Sequence, residues 1–231
     1  MSLIIRIDVD RPYGRQPFYR HLLSKLSSDL YFPKFERFGY LDELRTMLQW
    51  LNHAGAPAHV FFRRCTFPSA EIVELLNEGG HEIGLHLENS RSFAMFTAEK
   101  RFLERHCSRE ILSMSKHGSG GAKYGFHHYA PYEPERYMQW AGQASMRLFL
   151  GNLEDPTIEA IRLGKLLAFP SAFWLEPAWR DTAKFPVQWL IEHAGEREIV
   201  LLVHPENVLA DSQLTAQFKA LIGAVRSITI Q

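Results

Sequence analysis

Eight short apolar runs, at 4–10, 59–63, 82–87, 111–115, 147–151, 166–169, 199–204 and 227–230, alternate along much of this chain with stretches of helical periodicity. Within 41–52, Leu41, Leu44, Leu48 and Leu51 recur at three- and four-residue steps and share one helix face. The stretches 70–77, 93–107, 188–193 and 212–225 have the same character. Alternation of this kind makes βα units and a parallel sheet. Seven or eight mainly parallel strands predict an α/β fold, either a closed or partly closed β/α barrel or a large open sheet. In both, side chains that do chemistry gather at the carboxyl ends of the strands.

Length and composition narrow the field. The 231 residues fit one large domain or two small ones, and 46% of them are apolar, with 16 Phe, 5 Trp and 8 Tyr. Twenty-six basic side chains balance 26 acidic ones, which argues against a broad cationic surface for nucleic acid. Cys65 and Cys107 have no CxxC spacing, so neither a disulfide framework nor a cysteine zinc site is expected. No run is long enough to span a membrane, and a strand begins at residue 3 with no room for a signal peptide. The expectation is a cytoplasmic protein with a single domain over 1–231. Two segments interrupt the alternation, 11–39 and the Gly- and aromatic-rich 118–133. Loops of that length commonly serve as lids or binding elements.

The strand ends carry the chemistry. Asp8 and Asp10 lie two apart, on one face of a strand and roughly 6.6 Å apart along it. One carboxylate can bind a metal while the other takes a proton from water; an ion pair capping a loop is the plainer alternative. Arg6 shares their face. His81 and His86, in Gly80-His81-Glu82-Ile83-Gly84-Leu85-His86, are five apart and point to opposite faces of a strand. They are not the pair of a zinc-binding helix, whose histidines lie four apart. His86, nearer the carboxyl end, is the candidate ligand, and His81 is expected to hydrogen-bond locally. His204 ends the run Ile199-Val200-Leu201-Leu202-Val203 and suits a general acid.

Three further stretches supply candidates. Lys116-His117-Gly118-Ser119-Gly120-Gly121 lacks the order of a phosphate-binding loop; Lys116 or His117 could act as a ligand or stabilise an oxyanion, or the segment is a tight turn. His127-His128-Tyr129-Ala130-Pro131-Tyr132 could stack on a sugar ring or be an ordinary loop. In Phe173-Trp174-Leu175-Glu176-Pro177-Ala178-Trp179-Arg180, the aromatics could wall a pocket, with Arg180 or Glu176 orienting a catalytic group. Lys116, Trp174 and Arg180 are the candidate substrate-binding residues.

In this order, these residues resemble the polysaccharide deacetylase superfamily, carbohydrate esterase family 4, whose NodB-homology fold is a deformed (β/α) barrel. The resemblance spans nearly the whole chain. It implies a divalent metal, zinc by expectation, and removal of N-acetyl groups from sugars. Asp8 then matches the catalytic base, Asp10 the metal-binding aspartate, His86 the first histidine of the His-box, and His204 the general acid. Trp174 falls near an aromatic pocket wall of the family. Two departures stand out. The second His-box histidine is replaced by Ser90, a poorer zinc ligand. The third motif reads Lys116-His117-Gly118. Such departures resemble a divergent branch such as the WbmS-like proteins of bacterial surface polysaccharides. His117 or Glu88 would then restore the missing ligand.

The leading expectation is a metal-dependent hydrolase acting on the N-acetyl amide of a sugar or surface-polysaccharide precursor, with a carbohydrate or nucleotide-sugar substrate and neither nucleic acid nor membrane as partner. The alternative is a metal-free carbohydrate-binding or scaffold protein that keeps the fold. A third reading is hydrolysis of a non-sugar C–N bond.

Overall fold

The computed structural model describes residues 2–10, 18–30, 40–121, 125–224 and 226–227. Its strands are β1 (Ser2–Val9), β2 (His59–Phe62), β3 (Glu82–Leu87), β4 (Ser113–Lys116), β5 (Leu148–Leu153), β6 (Ile161–Leu163), β7 (Leu166–Ser171), β8 (Phe173–Trp174), β9 (Ile199–Val203) and β10 (Arg226–Ser227). Its helices are α1 (Phe18–Leu30), α2 (Tyr40–Ala54), α3 (Ala70–Glu78), α4 (Phe93–Cys107), α5 (Pro134–Gln143), α6 (Val187–His193), α7 (Pro205–Ala210) and α8 (Ser212–Ala224). The sheet runs β6-β7-β5-β4-β3-β2-β1-β9-β8, with β10 beside the start of β1. All pairings are parallel except β6 with β7.

The expected count of seven or eight strands is therefore low. β6 and β8 were not anticipated, and both are too short to show a period: three exposed residues and two buried ones. The expected strand 227–230 overlaps β10 only at Ser227, its remainder lying outside the described residues. The segment 11–39 holds helix α1, and 11–17 and 31–39 lie outside the described residues. Among the described residues no helix is long and apolar enough to cross a membrane.

Side-chain alternation along the strands makes two cores. Leu3, Ile5, Ile7 and Val9 of β1 face the helices, in one cluster with Val60, Leu85, Leu201 and the Leu44–Leu48 face of α2. Ile4, Phe61, Leu150, Val200 and Leu202 form a second cluster on the other face. That inner face is closed by curling of the sheet, and Arg6 shows how far. Four strand steps separate β1 from β5, about 19 Å in a flat sheet, yet the Arg6 guanidinium donates to the carbonyls of Leu150 (3.0 Å) and Gly151 (2.7 Å). No arginine spans that gap unless the strands wrap around it. The architecture is a curled α/β half-barrel.

Two glycines of the Gly80–Gly84 motif have distinct reasons to be glycine. Gly80 has φ +64°, a left-handed conformation that favours glycine, where α3 gives way to β3. Gly84 faces inward, and a Cβ there would stand 2.3 Å from the Phe61 ring and 2.7 Å from Ser113 Oγ. Its missing side chain is the space that Phe61 fills.

His81 does hydrogen-bond locally. Its Nδ1 accepts from the Ala58 amide (3.0 Å), so Nε2 carries the proton and donates to Asn52 Oδ1 (2.7 Å). Burial pushes both His81 and His59 down to about 4. An unfolded histidine titrates near 6.5, so the unfolded chain binds more protons between these values. Stability is thus fully present above about pH 6.5 and falls as the pH drops toward 4, by about 2–3 kcal/mol per histidine. Urea unfolding at pH 7 and at pH 4.5 checks this: the midpoint should fall with acid, and His81→Gln should flatten the fall. An equal pH dependence in the variant would refute it.

Candidate metal centre

Parallel pairing brings the ends of β1, β3 and β4 together, and three buried side chains meet there. Asp10 follows β1, His86 lies near the end of β3, and His117 follows β4. Asp10 Oδ2 is 3.0 Å from His117 Nδ1 and 3.4 Å from His86 Nε2, and those two nitrogens are 3.3 Å apart. Zinc binds such atoms at about 2.0–2.1 Å, and a tetrahedron with bonds of that length has edges of about 3.3–3.4 Å. The three atoms therefore outline one face of a zinc-sized tetrahedron. Three protein ligands with one corner left over is the pattern of a catalytic site.

The protonation states also suit a cation. Burial works to raise Asp10, but His117 and His86 outweigh it and hold the carboxyl well below its usual range. Burial holds His117 well below the usual histidine value, outweighing the pull of Asp10. An ionised carboxylate and a neutral imidazole are the forms that bind metals. Around them stand supporting groups. Arg63, just past β2, pairs with Asp10 Oδ1 (3.4 Å) and with Glu88 Oε1. Ser115 Oγ is 2.7 Å from His86 Nδ1.

The two candidates for a third ligand thus part ways: His117 joins Asp10 and His86, while Glu88 is paired with Arg63. Ser90 is not in the metal group; its hydroxyl lies 3.3 Å from Tyr137 OH, which donates to the Pro131 carbonyl (3.0 Å). Lys116 is buried behind the ligands, its Nζ donating to the His117 carbonyl at 2.5 Å, and burial pushes it down to about 7. His128 donates from Nε2 to the same carbonyl (2.8 Å). Both brace the backbone of His117.

A pocket of about 250 Å³ opens on the site, lined by Asp10, His117, Gly118, Ser119, Trp174, Trp179 and His204. The rings of Trp174, Trp179 and His204 lie 5.6–5.9 Å apart and form one wall. His204 caps the start of α7, its Nε2 3.9 Å from Asp10 Oδ2. Its Nδ1–H donates to Glu176 Oε1 (2.8 Å), which also accepts from the His204 amide (3.0 Å). Burial alone would depress His204, but Glu176, with Asp10 and Asp8, outweighs it and pushes the ring up to about 10. His204 is therefore an imidazolium at neutral pH.

Of Arg180 and Glu176, it is Glu176 that orients His204. Arg180 donates to the carbonyls of Trp174 (2.5 Å) and Leu175 (3.0 Å) and lies over the Phe173 ring. It lines a separate pocket with Pro177, Asp211 and Gln217, so its contact with the first pocket is indirect, through the backbone of Trp174. Asp8 is 2% exposed and does not line the pocket. Sequence reasoning overlooked Arg63 and Ser115. Arg63 sits at the same strand-end level as Asp10, which was the available signal; Ser115 stands opposite His86 in the β3–β4 register.

No protein-family model matches the sequence, and no curated protein matches it. Solved structures do resemble the fold. A CE4 family pseudoenzyme from Bacillus anthracis aligns with 98% of this chain and 63% of its own, at 10% identity and TM-score 0.46. The Xyl-CE4 domain of a multidomain xylanase from the hindgut metagenome of Trinervitermes trinervoides aligns with 99% of this chain and 87% of its own, at 12% identity and TM-score 0.46. The polysaccharide deacetylase Bc1974 from Bacillus cereus aligns with 96% and 86%, at 15% identity and TM-score 0.44. The chain spans about three fifths of the pseudoenzyme's length.

Proposed function

We propose that this chain is a metal-dependent amide hydrolase that removes the acetyl group from an N-acetylated sugar or surface-polysaccharide precursor, as in a WbmS-like branch of the polysaccharide deacetylases. The observation that carries the reading is the convergence of Asp10, His86 and His117 on one tetrahedral face, with the His204 imidazolium 3.9 Å from Asp10 at the same pocket. A divalent cation held there would polarise the acyl carbonyl and acidify the attacking water, whose proton would pass out to solvent through the pocket. The chain's own groups supply the rest. His204, charged and held by Glu176, gives its Nε2 proton to the departing amine. Trp174 and Trp179 offer apolar faces to the acyl group or sugar ring and shield the site from bulk water.

The test is turnover by zinc-loaded protein on N-acetylated mono- and oligosaccharides, read as released acetate. His204→Gln should lower kcat about 10²- to 10⁴-fold while zinc binding, read by calorimetry, stays within about threefold. Acetate release undiminished by His204→Gln would remove His204 from the chemistry. One feature favours a metal-free carbohydrate-binding protein instead: Arg63 already neutralises Asp10 at 3.4 Å. That reading predicts sugar binding at the tryptophan wall, no zinc uptake and no acetate release.

A further inference from the structure

We propose that Asp8 acts through Ser115 as a positioning residue for His86, fixing the ring tautomer that leaves Nε2 free to bind a metal, rather than as the group that takes a proton from water. The inference rests on the metal-centre reading above and gives Asp8 a different task within it.

Access is the first argument. Asp10, His117 and His204 line the pocket and Asp8 does not, although Asp8 and His117 are equally buried, at 2% exposed each. A group that accepts a proton from a substrate water has to reach that water.

Occupancy is the second. Arg6 grips Asp8 with both arms of its fork, Nε to Oδ1 at 2.9 Å and Nη2 to Oδ2 at 2.6 Å. The remaining three Arg6 donors go to Leu150 O, Gly151 O and Asn152 Oδ1. All five N–H groups are used, so the guanidinium has no other place to turn and the carboxylate has no oxygen to itself.

The chain of donors is the third. Ser115 Oγ donates to Asp8 Oδ1 at 3.4 Å and lies 2.7 Å from His86 Nδ1. A hydroxyl has one proton. With it directed to the carboxylate, Ser115 can only accept from His86, so Nδ1 carries hydrogen. Asp8 Oδ2, 3.7 Å from Nδ1, favours the same form. Nε2 is then a bare lone pair, and it is the atom 3.4 Å from Asp10 and 3.3 Å from His117. Carboxylates that fix metal-binding histidines in this way sustain metal affinity, and their loss typically costs about 10- to 100-fold.

The experiment has two readouts on metal-stripped protein. Long-range proton–nitrogen NMR reports the His86 tautomer without metal: Nδ1–H in the wild type and loss of that preference in Ser115→Ala are expected. Nε2–H in the wild type would overturn the proposal. Zinc calorimetry should show affinity lowered about 10- to 100-fold in Ser115→Ala, with Asp8→Asn adding little to it in the double variant. Wild-type affinity in Ser115→Ala, or in a folded Asp8→Asn that has lost turnover, would return Asp8 to proton transfer. If the wild type takes up no zinc, the metal reading fails, and the tautomer measurement alone still decides the relay. Should Asp8→Asn not fold, Ser115→Ala carries both readouts.

Discussion

His117→Ala should lower zinc affinity about 100- to 1,000-fold. Protein zinc sites with four ligands bind with about 10–16 kcal/mol, or about 3–4 kcal/mol per ligand, and about 1.4 kcal/mol is tenfold in affinity. His117 supplies one of three converging atoms, and its Nδ1 makes the shortest of the three edges, 3.0 Å to Asp10. Calorimetry with zinc on metal-stripped protein measures the loss directly. Glu88→Ala is the informative companion, since Glu88 was the other candidate for this place and instead meets Arg63. If Glu88→Ala abolished zinc binding and His117→Ala left it intact, the ligand set Asp10, His86 and His117 would be wrong.

Arg6→Ala should cost the fold about 3–5 kcal/mol, the range for removing one partner of a fully buried ion pair. The loss has two parts. Asp8 would keep its burial without its guanidinium, and the carbonyls of Leu150 and Gly151 would lose the donors that face them across the barrel. Urea denaturation of apo wild type and variant, compared at pH 7, gives the number. Arg6→Lys separates the parts: it keeps a positive charge but cannot reproduce the fork, and should fall between wild type and Arg6→Ala. A loss below about 1 kcal/mol for Arg6→Ala, the usual worth of an exposed pair, would show that the sheet curls without this clamp.

What could be read in the sequence follows from which signals are local. The strand at Glu82–Leu87 and the helix at Phe93–Cys107 match the expected bounds, because each is a run long enough to show its period. The two- and three-residue strands β8 and β6 exist only through their neighbours, so no local pattern announces them. Helix α5 begins at Pro134 inside an aromatic-rich stretch, and its buried face of Tyr137, Trp140 and Ala141 was masked by that surrounding composition. At the site, Asp10, His86 and His204 were visible as polar residues closing apolar runs. The choice between His117 and Glu88 was not, because it turns on Arg63, a residue from a different strand that takes up Glu88. Of the partners of Asp8, Arg6 was in view two residues away on the same strand, whereas Ser115 comes from a strand more than a hundred positions later and no local pattern pairs it with Asp8.

The placing of β1 between β2 and β9 has a consequence for synthesis. Leu3 pairs with Ile199 and Ile7 with Val203, so one side of β1 stays open until a strand nearly 200 positions later has left the ribosome. Until then Ile4 and Ile5 belong to an uncovered edge, the kind that recruits stray strands. Asp10 of the centre is made just after β1, whereas His204, which follows β9, is made nearly 200 positions later. The pocket wall of Trp174, Trp179 and His204 can therefore close over the ligands only once β9 has emerged, and this is the interval in which a chaperone would have most to protect.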